Sequence, residues 1–181
     1  MATGVAPKPA PGPYHHGDLR RALLGAALEV LDEVGPSALS LREVARRAGV
    51  SHAAPAHHFG DKSGLLTAIA IEGFELLIDE LAAQPNFLEV GVGYVRFAIA
   101  HRSHFDVMFR PELQRRDDAR LLEVKANANA LLYPPAGSLD AGVAAWSLVH
   151  GFATLWIDGA LPDVGGDPEQ AIRRLAAALR P

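Results

Sequence analysis

Apolar residues recur at three- and four-residue spacing along nearly the whole chain, and no stretch alternates convincingly at the period of a strand. The first run follows Asp18, a capping residue type. Leu19, Leu23, Ala26, Ala27, Val30, Leu31 and Val34 share one helical face, and Gly35-Pro36 ends it. Residues 40–59 then read as two short helices around a tight turn. Ser40 with Glu43 makes a capping box, and Leu41, Val44, Ala45 and Ala48 form an apolar face. Gly49 stands where a left-handed C-cap is wanted, and Ser51 is placed to cap a second helix running toward His58. This is the helix-turn-helix pattern, in which the second helix enters the DNA major groove. An ordinary helical hairpin has the same pattern.

Further helices are expected over residues 62–83, 87–102, 118–133 and 138–160, with a short aromatic-rich piece at 104–113. Gly91 and Gly93 weaken the second of these by about 1 kcal/mol each. Asp167, Pro168 and Gln170 open a last helix whose apolar face is Ile172, Leu175, Ala176 and Leu179. The fold class is therefore all-α. The expected division is a Pro/Gly-rich disordered tail at 1–13, a three-helix DNA-binding domain at 14–61, and a larger helical domain at 62–181 for ligand binding and dimerisation.

Composition narrows the choice of function. The 181 residues include no cysteine, so a disulfide framework or thiolate metal site is excluded. His15-His16 and His101-His104 lack a carboxylate or thiolate partner set, and no structural metal or cofactor is expected. There is no signal-like segment and no apolar run of membrane-spanning length, so a cytoplasmic protein without a membrane partner is expected. Net charge is −4 but unevenly spread: residues 1–68 hold 7 Lys/Arg against 6 Asp/Glu, and residues 69–181 hold 10 against 15. The N-terminal third is the more electropositive part, as a DNA-facing module needs.

The run LRRALLGAALEVLDEVG followed by LSLREVARRAGVSHAAPAHHFGDKSGLL resembles the TetR-type (tetracycline-repressor family) transcriptional regulators. Gly49, His58-Phe59 and Lys62 fall on the family's glycine turn, His-Phe segment and fourth-helix lysine. WSLVHGFATLWIDG (146–159) resembles, more weakly, the ligand domain of a Trp–His–Gly subgroup. The resemblance implies an all-helical homodimer that binds palindromic double-stranded DNA and is released by a small molecule. One departure is Ala56, where the family has an aromatic residue that touches a phosphate.

On this reading His52 and His57 are the base readers, and Ala53 and Pro55 can touch a thymine methyl. Ser51 caps their helix, while Ser40, Arg42 and Lys62 are phosphate contacts. Arg46 and Arg47 fit a solvated face equally well. In the helix at 138–160, Asp140, Ser147, His150, Thr154 and Asp158 form a narrow polar stripe on an otherwise apolar surface, so two sides need burial. A second subunit covers one of them, with Val149, Phe152, Trp156, Ile172, Leu175 and Leu179 as the expected dimer interface. Phe97, His101, Phe105, Met108, Phe109, Leu122, Trp146 and His150 are the expected lining of a cavity for a largely apolar effector. Arg96 and Arg102 flank that face. The expectation is a non-enzymatic, ligand-responsive repressor. A ligand-free architectural DNA-binding dimer and a small helical enzyme are the alternatives, and no nucleophile elbow, phosphate loop or metal motif supports the latter.

Overall fold

The computed structural model describes residues 16–133 and 138–178. The expected tail at 1–13 and Leu179 lie outside the described residues. Among those described there are nine α-helices and no strand. They are α1 (His16–Ala38), α2 (Leu41–Arg47), α3 (Ala54–Phe59), α4 (Lys62–Ala82), α5 (Phe87–Ala100), α6 (Arg102–Met108), α7 (Ala119–Leu132), α8 (Leu139–Ile157) and α9 (Pro168–Ala178), with a 3-10 turn at Pro111–Leu113 between α6 and α7.

Short polar side chains set most of the helix starts. Ser40, Asp61, Asn86, Asp118 and Ser138 each accept a hydrogen bond from the backbone N–H three residues on. Asp167 does the same for α9, from Glu169 and Gln170 at 2.9 and 3.4 Å. Asp18, expected as a cap, instead lies in the first turn of α1, and that helix departs from helical geometry at Gly35 (φ 71°) before Pro36. The capping box is half formed. Ser40 Oγ accepts from the Glu43 N–H, while the Glu43 carboxylate pairs with Arg46.

α4 is the axis of the molecule. Its first half, from Gly64 to Ala70, is buried on every side. α1 and α3 lie on one flank, and α5, α6 and α7 cover the others. At Gly73 a Cβ would stand 2.6 Å from Met108 Sδ, so glycine lets α6 cross α4 closely. α8 and α9 form an outer layer on α5. Two ion-pair groups hold that layer down. Arg96 bridges Glu80 and Glu169, both at 2.6 Å, and Arg173 reaches Glu89 at 2.8 Å. Arg96 therefore points into this seam and not into a cavity.

Candidate nucleic-acid interface and effector cavity

α2 ends at Ala48, and Gly49 at φ 67° turns the chain as a left-handed residue must. α3 begins later than its sequence suggests. Its N-cap is Ala53, not Ser51, and no side chain caps it. The Ser51 carbonyl instead accepts from the Ala54 N–H at 3.0 Å in the turn that precedes the helix. This late start puts Pro55 in the first helical turn, where its missing N–H interrupts no bond. Pro55 is buried together with Phe59, which corrects its reading as a groove contact: the ring anchors α3 to the domain. His52, Ala53, Ala56 and His57 stay exposed; Ala53, Ala56 and His57 fall at helical spacing on one face, and His52 lies in the turn before it. Phe59 also receives Arg20, whose Cζ lies 5.3 Å from the ring centroid.

The basic residues around α3 divide in two. Arg46 and Arg47 are committed within the domain: Arg46 pairs with Glu43, and Arg47 makes two 2.7 Å bonds to Glu33. These bonds hold the Glu43 and Glu33 carboxyls below their usual range. Arg42 is exposed and has no partner among the described residues. Lys62 donates to the Ser37 carbonyl at 2.9 Å, tying the start of α4 to the segment after the Gly35 break, and keeps two N–H donors for a phosphate. Ser40, also exposed, keeps its hydroxyl proton free to donate.

Four of the eight expected cavity residues come together. Phe105 and Phe109 of the α6 region meet Trp146 and His150 of α8, with ring centroids 4.8 to 6.0 Å apart. Tyr94, an apolar position of its helix by spacing but not among the expected lining residues, is the buried centre of this cluster. Its hydroxyl lies 2.8 Å from His150 Nδ1 and accepts from Trp146 Nε1 at 3.3 Å. With the imidazole proton on Nε2 the hydroxyl donates to Nδ1, and with it on Nδ1 the hydroxyl accepts there. Burial holds His150 below its usual pKa and pushes the Tyr94 phenol up. The imidazole is then neutral above its ordinary pKa, with Nε2 left unused by Tyr94.

His150, Phe105 and Phe109 line a cleft of about 280 Å³ between α6 and α8, rimmed by Arg102, Asp106, Arg110 and Asp158. A second cavity of about 420 Å³, lined by apolar side chains that include Trp146, lies among α5, α7, α8 and α9. The other expected lining residues sit elsewhere. Met108 fills the α4–α6 core, and Phe97 stacks on His101 at 5.1 Å. Leu122 is 53% exposed on the outside of α7, which corrects its placement as cavity lining. The expected dimer residues also need correction. Val149, Phe152 and Ile172 are only 7%, 4% and 1% exposed within the single chain, so they belong to the protomer core. Trp156 is half-buried against Phe152. The apolar surface left open on α8 and α9 is Leu139, Val143, Leu155 and Leu175.

A stability trend follows from the depressed His150. The unfolded imidazole takes a proton near its ordinary value of 6.5, and the folded one resists until lower pH. His101 shifts the same way, through burial first and then the neighbouring His104. Stability contributed by these rings is present above pH 6.5 and is lost as pH falls below it. Thermal melts between pH 7.5 and about 5 should show this loss. His150→Gln should flatten the slope, and an unchanged slope would remove His150 as its source.

Residues 23–69 match the family model described as bacterial regulatory proteins, tetR family, and residues 87–179 match the tetracyclin repressor-like C-terminal domain. The chain is 28% identical over 173 residues to the HTH-type transcriptional regulator BetI 2 of Chromohalobacter salexigens, covering 84% of this chain and 82% of that one. Over 87 residues it is 36% identical to Escherichia coli BetI, covering 48% and 45% of the two chains. Among solved structures, a Rhodococcus sp. RHA1 protein of unknown function is 32% identical, with a TM-score of 0.75 over 93% of this chain and 96% of that one. The helix-turn-helix with its exposed α3 face, the all-helical domain behind it and the match of both halves make this chain a member of the TetR family of bacterial transcriptional regulators.

Proposed function

We propose that this regulator is a homodimeric repressor that holds a near-palindromic operator and is released by a small, largely apolar molecule. The observation that carries the DNA part is the arrangement of α3. Pro55 and Phe59 are buried beneath it, while His52, Ala53, Ala56 and His57 are exposed, as are Ser40 and Arg42 at the start of α2, and Lys62 opens α4. Short side chains let the backbone approach base edges, and the two imidazoles reach further to read them. The phosphate contacts fix register without carrying sequence information. The apolar side chains left open on α8 and α9 support a two-fold dimer, which presents two such α3 faces to matched half-sites.

For the effector, the cleft between α6 and α8 supports an apolar part against Phe105 and Phe109, with a polar group toward the His150 imidazole and the charged rim. Release requires that the molecule bind the DNA-incompetent arrangement more tightly than the competent one.

Selection from a random duplex pool with purified protein tests the reading. The expected product is an inverted repeat with half-site centres about 34–36 Å apart or a multiple of that. His52→Ala should lose discrimination at one base step by about 1–3 kcal/mol. Equal losses on selected and random DNA would make His52 a backbone contact. Neutral apolar compounds should release the selected duplex. If only polyanions do, the effector reading is wrong, and if no compound does, the ligand-free architectural dimer stands.

A further inference from the structure

The corner between α3 and α4 is held by a residue from a distant part of the chain. Arg115 lies in the connection between α6 and α7. Its guanidinium donates to the Phe59 carbonyl, at the end of α3, at 3.2 Å, and stands 3.1 Å from Asp61 Oδ1, the cap of α4. Its backbone N–H donates to Thr67 Oγ1 at 2.9 Å, inside α4. The space it occupies exists because two residues there lack side chains. A Cβ on Gly60 would lie 2.8 Å from the guanidinium, and one on Gly64 would lie 2.9 Å from it.

The neighbouring residue anchors the same connection from the other side. Gln114 is buried, and its amide donates to the Val107 and Met108 carbonyls at the end of α6, at 2.5 and 3.0 Å. Its oxygen accepts from Lys125 Nζ of α7 at 2.9 Å. Two consecutive side chains thus join the end of α6 and the middle of α7 to the end of α3. Every buried polar side-chain atom among the described residues has a partner, these included.

We propose that Arg115 is a positioning residue for DNA recognition: it fixes the orientation of the exposed α3 face from a segment whose own place is set by α6 and α7. The guanidinium sits at the carbonyl end of α3, where a cation is favoured. It also bridges that end to the next helix, so α3 cannot rotate about Gly60 without breaking two charge-assisted contacts. Because the connection starts at α6, whose Phe105 and Asp106 border the α6–α8 cleft, a displacement of α6 reaches α3 through covalently adjacent residues. The proposal rests on α3 being the recognition helix, which His52→Ala tests separately.

The test uses the full chain and the duplex selected by the wild-type protein. Arg115→Gln should bind that duplex about tenfold more weakly, by the loss of a hydrogen bond from a charged donor. The salt dependence should be unchanged, because no phosphate contact is removed. Amide exchange should quicken at Gly60, whose N–H bonds the Ala56 carbonyl, and stay constant in α5 and α8. Arg115→Lys should restore part of the affinity, since an ammonium reaches one of the two acceptors. Gln114→Ala, whose side chain hydrogen-bonds to α6 and α7 and not to α3 or α4 among the described residues, should weaken binding in the same direction. Unchanged affinity in Arg115→Gln would overturn the proposal. So would a salt slope lower by about one unit per protomer, which marks a direct phosphate contact. Faster exchange in every helix would overturn it too, since it would reduce Arg115 to general stability.

Discussion

Leu155→Asp is expected to give a folded, soluble monomer that no longer holds its operator. Leu155 is 44% exposed on α8, one of the apolar side chains left open there and on α9, where Leu175 is 37% exposed. In the single chain an aspartate there stays hydrated and costs little. In a two-fold dimer it would have to lose its water at the interface, which is strongly unfavourable without a partner. The monomer then meets each half-site alone. Losing the linked second contact lowers apparent affinity by about 10² to 10⁴. Sedimentation at micromolar concentration and titration of the selected duplex measure the two effects. Phe152→Asp should behave differently, because Phe152 is 4% exposed inside the protomer. It should lose about 3–5 kcal/mol or more of folding stability and give unfolded or aggregated chain. A dimeric Leu155→Asp protein with normal operator affinity would mean that the interface uses another surface.

Gly64→Ala is the second large effect, and its sign opposes local propensity. Alanine in a helix is ordinarily worth about 1 kcal/mol over glycine. Here the new Cβ would stand 2.0 Å from the Phe59 carbonyl oxygen and 2.9 Å from the Arg115 guanidinium. The first neighbour is backbone at the end of α3 and cannot swing aside. The Gly64 N–H also bonds Asp61 Oδ1 at 2.8 Å, so α4 cannot slide without losing its cap. That bond, followed by the Arg115 contact, holds the Asp61 carboxyl below its usual range. The expected loss is about 3 kcal/mol in thermal or urea unfolding. Operator affinity should fall too, because relief of the clash pushes α3 off its seat. Gly25→Ala is the control. It is exposed, with nothing within 4 Å of the added Cβ, and should gain rather than lose stability. A gain at Gly64 as well would show that the α3–α4 corner moves freely.

Local chemistry in the sequence determined the helices and most of their starts. Capping is a contact between residues three apart, so Ser40, Asp61, Asp118 and Ser138 announce themselves without any tertiary partner. The helix-turn-helix was legible for the same reason, since Gly49 and the apolar spacing of α2 act within one turn of each other. α3 was legible only in part. Ser51 is a good cap type, but the burial of Pro55 beneath α3 goes with a start at Ala54, where the ring interrupts no hydrogen bond. Burial of the ring against the rest of the domain is a property of the packed domain.

Periodicity on α8 showed that more than one side is apolar but could not say which side faces its own chain. Val149 and Phe152 against Leu155 is a choice made by how α8 lies on α5, and only the packed protomer reveals it. The aromatic cluster was half legible. Phe105, Phe109, Trp146 and His150 carry a visible apolar and polar signature, whereas Tyr94 acquires its role only by lying beneath α8. Arg115 carries no local signal at all. Its partners are Phe59, Asp61 and Thr67, about fifty residues away in the chain, and chain separation hides a contact that folding makes immediate.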